Sequence, residues 1–182
     1  FIAQGYGLYS ILFSTCSIFT SYIFMYYVWQ DINLCQQKNI GQLWFKAATF
    51  FNSLSSIGAF ALAYMMVKKS MNQDLHLGAI YFFLHFQYNG WFSFTILGLL
   101  SEKLLQVGVT YKRLRFLFIV YAAVCVPAYF LSALWMPIPG FVYILVVIAA
   151  IAQAIGWVWI LLQVRKACST LRSALLKPAY II

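Results

Sequence analysis

The sequence predicts an all-α protein, a polytopic transmembrane bundle of five membrane-spanning helices in a single domain. Three observations lead there. Of the 182 residues, 64% are hydrophobic and only 8% are charged, against about 25% charged in an average soluble domain. Mean hydropathy is +0.86. The apolar residues gather into five long runs separated by short polar gaps. A chain with so few polar side chains cannot cover a water-facing surface, and the same arithmetic excludes disorder.

The runs cover residues 6–29, 44–67, 76–100, 116–135 and 140–164. Each is long enough to cross a hydrocarbon core of about 30 Å at 1.5 Å per residue. Lipid offers no partner to a bare backbone group, so a spanning segment must be a helix or part of a closed barrel. Barrel strands read as short alternating segments, whereas these runs are long and continuously apolar, which selects helices.

The first run carries Ser10, Ser14, Ser17 and Ser21 at steps of four, three and four, all on one stripe. Small hydroxyl side chains on a stripe allow close helix approach and shared hydrogen bonds, so a packing seam is expected; a polar translocation path is the sharper alternative. The second run carries Thr49, Asn52 and Ser56 on one face, with Ser53 and Ser55 beside them. Asn52 falls near the bilayer middle, where its amide must find a partner. The fourth run holds Pro127, which should kink its helix. The fifth repeats the small-residue theme with Ala149, Ala152, Gln153 and Gly156. Trp29, Trp44 and Trp135 fall at span boundaries, as an aromatic belt does; Trp91 and Trp157 fall inside spans.

Net charge is +9, from twelve Lys and Arg against three acids. In a soluble protein this would point to nucleic acid; here the basic residues flank the spans and set orientation, so no nucleic-acid partner is expected. Lys38, Lys46, Lys103, Lys112, Arg113, Arg115, Arg165, Lys166, Arg172 and Lys177 fall on one side, and Lys68 and Lys69 on the other. The third connection, residues 101–115, and the basic tail, 165–182, are therefore expected in the cytoplasm. The N-terminal end and the Pro137–Pro139 turn are expected outside. An amphipathic tail helix over 165–176 would lie near anionic headgroups. The chain begins with Phe1 and leads at once into a span, with no leader or cleavage site, so its native N-terminus is expected upstream. Cys16, Cys35, Cys125 and Cys168 are far apart and form no CxxC, which indicates free thiols.

The third run is the richest in chemistry. His76 lies at the outer boundary and His85 lies nine residues deeper, on the opposite face. His85, Tyr88, Asn89 and Phe92 share a face by helical spacing, and Gln87 points away from it. Gly90 permits close approach of a helix or a planar ligand. An ionisable residue within a span is a functional-site candidate; the alternative is an imidazole hydrogen-bonded to a neighbouring helix, for example to Asn52. A neutral imidazole is a common metal ligand and a haem axial ligand, and Tyr88 or Asn89 could fix its tautomer. Candidate cofactor-binding residues are therefore His85, Tyr88, Asn89 and Trp91, with His85 the metal ligand and Asn52, Ser56 and Gln87 as polar support. No acid lies within a run, no Gly-rich phosphate loop occurs, and no nucleophile–His–acid set can be assembled.

The segment Tyr81-Phe-Phe-Leu-His85-Phe-Gln-Tyr-Asn-Gly-Trp91-Phe-Ser-Phe, with the opening Gln4-Gly-Tyr-Gly-Leu-Tyr-Ser10, resembles a largely uncharacterised family of bacterial inner-membrane proteins. These are similar to the haem–copper oxidase superfamily in their many spans and intramembrane histidines. The resemblance covers roughly the first hundred residues and carries over His85 alone as a candidate ligand. It implies a subunit or fragment with a haem or copper site in redox or gas-linked chemistry. This chain has no His-x-His pair and only two histidines, so further ligands are expected before Phe1 or in another subunit. Two other functions are compatible with the residues: a structural or accessory subunit of a larger membrane complex, and a small-solute transporter using the serine stripe and Asn52. Lipid and other transmembrane helices are the expected partners.

Overall fold

A computed structural model of the chain describes residues 8–35, 39–68, 72–136 and 138–176. Ser10, Lys38, Lys69, Arg172 and Lys177, used above for the stripe and the charge asymmetry, fall outside the described side chains, and so does Pro137.

The described residues are helical throughout their elements, with no strand. In order they are α1 (Leu8–Leu34), α2 (Ile40–Val67), α3 (Gln73–His85), a π-helical segment (Phe86–Phe92), α4 (Ser93–Gln106), α5 (Tyr111–Ala128), a 3-10 turn (Tyr129–Ala133) and α6 (Gly140–Leu176). Each expected apolar run is helical, so the all-α bundle holds. Among the described residues three helices are long and apolar enough by themselves to cross a membrane: Ile40–Val67, Tyr111–Ala133 and Gly140–Ser169.

The helices overrun the apolar runs, and the connections shrink accordingly. The third connection was expected over 101–115. Instead α4 continues to Gln106 and α5 starts at Tyr111, so Glu102, Lys103, Lys112, Arg113 and Arg115 lie on helices. Gly108 makes the turn between them, with φ +96°, a conformation that disfavours any residue with a β-carbon. Its N–H donates to Leu105 O, and the Val109 N–H donates to Leu104 O at 3.0 Å, closing the end of α4 as a Schellman motif does. Hydropathy marks where a helix leaves the apolar layer, whereas caps decide where it ends. Asn72 caps α3 in the same sense, its side chain accepting from the Leu75 N–H at 3.1 Å.

The chain divides into two compact units, residues 1–95 and 96–182. In the second, α5 and α6 pack through matched stripes. Leu114, Leu117, Tyr121, Cys125 and Ala128 are buried on α5. Val146, Ala149, Gly156 and Ile160 are buried on α6. The steps of three and four put each set on one face. The Tyr121 hydroxyl donates to the Gln153 carbonyl at 3.2 Å, and its ring meets Trp157 edge-on. Pro127 sits in the last turn of α5, which stays α-helical to Ala128, and the backbone tightens to a 3-10 turn from Tyr129. No break separates the expected tail from the fifth span: α6 is one helix of 37 residues.

Candidate functional site

In the first unit, α2 lies against α3 and the π segment at two glycines. A β-carbon on Gly58 would come 2.6 Å from the Ala79 carbonyl oxygen and 2.8 Å from Phe83 N; one on Gly90 would come 2.5 Å from Phe51 Cβ. At the second contact, and beyond it, sits an aromatic core. Phe51 stacks on Phe86 at 5.8 Å and meets Phe94 edge-on at 4.9 Å, and Trp44 meets Phe94 at 5.2 Å. Gly90 and Phe86 are thus spent on the helix seam, so the flat wall expected around Gly90 belongs to protein packing.

His85 is the last residue of α3 and is 5% exposed. Its ring stands perpendicular to Phe86 at 5.1 Å. Asn89 Nδ2 lies 3.1 Å from His85 Nδ1. With the amide in that orientation, Asn89 donates to Nδ1 and the ring proton sits on Nε2. With the amide turned over, Nδ1–H donates to Asn89 Oδ1 and Nε2 keeps a lone pair. Only the second arrangement leaves Nε2 able to ligate a metal.

The segment that follows, Phe86–Phe92, is π-helical. A hydroxyl just downstream reaches across its widened turn: Ser93 Oγ donates to the Tyr88 carbonyl, five residues back, at 2.8 Å, whereas Thr95 Oγ1 donates to the Trp91 carbonyl at 2.9 Å at the ordinary four-residue spacing. Such wide turns recur at functional sites. Here it leaves Tyr88 60% exposed. Tyr88 stacks on Phe92, and Phe92 on Trp91 at 5.5 Å, so the flat aromatic surface is Tyr88–Phe92–Trp91.

The polar residues of α2 reach elsewhere. Asn52 Nδ2 donates to Ser21 Oγ at 2.8 Å and approaches Met25 Sδ at 3.3 Å; its partner is α1, and the suggested bond to His85 is replaced by the one from Asn89. Ser55 Oγ lies 2.7 Å from the Asn52 carbonyl and 2.8 Å from Gln87 Oε1. One hydroxyl proton serves one acceptor, so a turned Gln87 amide, donating to Ser55, would satisfy both contacts. Ser56 Oγ lies 3.4 Å from the Asn52 carbonyl. His76 stands apart at the start of α3, its Nδ1 2.9 Å from the Asn72 carbonyl, as an interfacial residue would. Of the serine stripe, Ser21 meets α2, while Ser14 and Ser17 are exposed.

Set beside known proteins, the chain matches no protein family, no curated protein and no solved structure.

Its donor chemistry therefore has to be judged directly. Among the described residues no three His, Cys, Asp or Glu side chains come together as a metal-binding group. A copper centre needs several soft or imidazole donors at one point, so the described residues do not fit copper. A haem can be held through a single imidazole, so His85 would be the residue to hold it, in the turned-amide arrangement. At 5% exposure, a porphyrin reaches that imidazole only after neighbouring side chains move.

Sequence reasoning brought His85 and Asn89 together correctly, one turn apart. It missed the π segment. The side chain tied to it is Ser93, whose hydroxyl reaches the carbonyl five residues back, and a serine at that position does not by itself distinguish a wide turn from an ordinary one.

Proposed function

We propose that this chain is a structural or accessory transmembrane component of a larger complex in the bacterial inner membrane, its N-terminal end outside and its tail cytoplasmic. One observation carries this reading. The polar side chains within the helices are paired along and across seams: Asn52 with Ser21, Gln87 with Ser55, His85 with Asn89, and Tyr121 with the Gln153 carbonyl. Polar groups so placed specify how helices meet in lipid. Ser14 and Ser17 continue the α1 stripe beyond Ser21 and are exposed, which favours a further transmembrane helix as the partner of that face. Migration of the intact complex on native gels tests this. Replacing Ser14 and Ser17 with Leu is expected to loosen the complex; unchanged migration would mean the stripe faces lipid.

A second reading keeps His85 as one axial ligand of a haem, with redox or gas-linked chemistry supplied by that group. The Asn89 contact at Nδ1 supports it in the turned-amide arrangement, where Nδ1–H donates to Asn89 Oδ1 as a ligating imidazole donates its other N–H. Asn89 would hold the ring and its tautomer, and the Tyr88–Phe92–Trp91 stack would offer an apolar flat surface. An absorbance spectrum of the complex distinguishes the two readings: a Soret band lost in His85→Ala and kept in His76→Ala supports the haem, and protein free of haem and transition metal leaves the scaffold.

A further inference from the structure

We propose that the adjoining ends of α5 and α6 form one basic collar that binds the phosphate of anionic phospholipid headgroups. The register of the two helices places it. Tyr121 and Gly156 touch at the seam. Lys112 lies nine residues from Tyr121 toward the start of α5, and Arg165 lies nine residues from Gly156 toward the end of α6. At 1.5 Å per residue both are about 13 Å from the contact, on antiparallel helices joined by a short connection, so they reach the same level. Arg113, Arg115 and Lys166 join them there. All five are exposed.

Three further observations select a lipid phosphate. The level is that of a headgroup: α6 rises about 55 Å over its 37 residues, against about 30 Å of hydrocarbon, so the helix runs through the interface and beyond it. Tyr111, 40% exposed at the first turn of α5, is an interfacial aromatic at the same height. The charge is also unbalanced. The only acidic side chain in residues 96–182 is Glu102, with Lys103 next to it. Buried Leu114 and Leu117 on α5, and Ile160 on α6, lie on the seam side of this end, so the cations stand around its outer edge, where phosphates lie.

The full chain, reconstituted in vesicles mixing phosphatidylglycerol with phosphatidylcholine, and then extracted with its bound lipid for mass spectrometry, tests this. Enrichment of the anionic lipid is expected. The double variant Lys112→Gln/Arg165→Gln keeps three of the five cations, so the orientation of α5 and α6 is retained; it should lower the enrichment about tenfold. Lys68→Gln, just past the end of α2 in the first unit, should leave it unchanged. Inorganic phosphate at millimolar concentration should not displace the lipid; displacement would reassign the collar to a soluble anion. Equal enrichment in the double variant and the parent would overturn the proposal, as would an unchanged lipid content accompanied by loss of a protein partner on native gels.

Discussion

Gly156 seats the ring of Tyr121: a β-carbon on it would collide with Tyr121 Cε2 and lie 3.0 Å from the hydroxyl oxygen. That hydroxyl donates to the Gln153 carbonyl one turn away. The ring is held at both its edge and its tip, so it cannot swing clear.

Gly156→Ala is therefore expected to destabilise the α5–α6 pair by about 1–3 kcal/mol, the usual cost of overpacking a filled seam. Gly140→Ala, with no atom within 4 Å of its β-carbon position, is the control and should change little. Tyr121→Phe keeps the ring and loses the hydrogen bond, at about 1 kcal/mol. Unfolding in detergent ranks the three. A Gly156→Ala protein as stable as Gly140→Ala would contradict the seat.

Gly58 should be less forgiving than Gly156. The atoms its β-carbon would meet are the Ala79 carbonyl oxygen and Phe83 N, which are backbone and cannot rotate away. Gly58→Ala should cost about 3 kcal/mol, the upper end of overpacking, and loosen α2 from α3. Hydrogen exchange of the Ala79–Phe83 amides would rise in the variant; unchanged protection would show that the helices separate without loss.

The Ser21–Asn52 bond is a polar tie between α1 and α2 in the middle of the pair, with Lys46 Nζ donating to Asn33 Oδ1 at 2.7 Å near its end. A double-mutant cycle with Ser21→Ala and Asn52→Leu is expected to give a coupling of about 0.6 kcal/mol, and no more than about 1.7 kcal/mol, because helices in lipid find alternative partners for their polar groups. Zero coupling would mean that Asn52 is satisfied elsewhere.

Two native thiols report orientation. Cys35, just beyond α1, and Cys168, on α6, are exposed, whereas Cys125 is buried. In the proposed five-span arrangement four crossings separate Cys35 from Cys168, so both are expected on the same, cytoplasmic side. A membrane-impermeant maleimide applied outside sealed right-side-out vesicles should label neither, and should label both after permeabilisation. Outside labelling of either thiol would overturn the topology.

The sequence was legible wherever apolar length or small-residue spacing carried the information. Ala149 and Gly156 were readable as a seam on α6, and Asn52 as a buried amide needing a partner. The partner was not readable, because the choice between Ser21 and His85 depends on how α1 and α3 are rotated about their axes, which hydropathy does not encode. Helix ends near the interface were misplaced for a related reason. Lys112, Arg113 and Arg115 look like loop residues by polarity, yet a helix loses nothing by continuing through headgroups. His85 and Asn89 were paired correctly because one helical turn is local geometry.

The widened turn at Phe86–Phe92 makes the protein unusual in its response to losing a residue. A wide turn contains one residue more than an α-helix needs for the same path. Deleting one residue there would not break the helix; it would restore an ordinary one and leave everything downstream close to its present angle. Phe94, packed against Phe51 and Trp44, would keep its place in that core, and the change would fall on the Tyr88–Phe92–Trp91 surface inside the turn. The same deletion within α2 would instead rotate the rest of that helix by about 100°. Circular dichroism would register almost no change in either case, so packing alone would tell the two lesions apart.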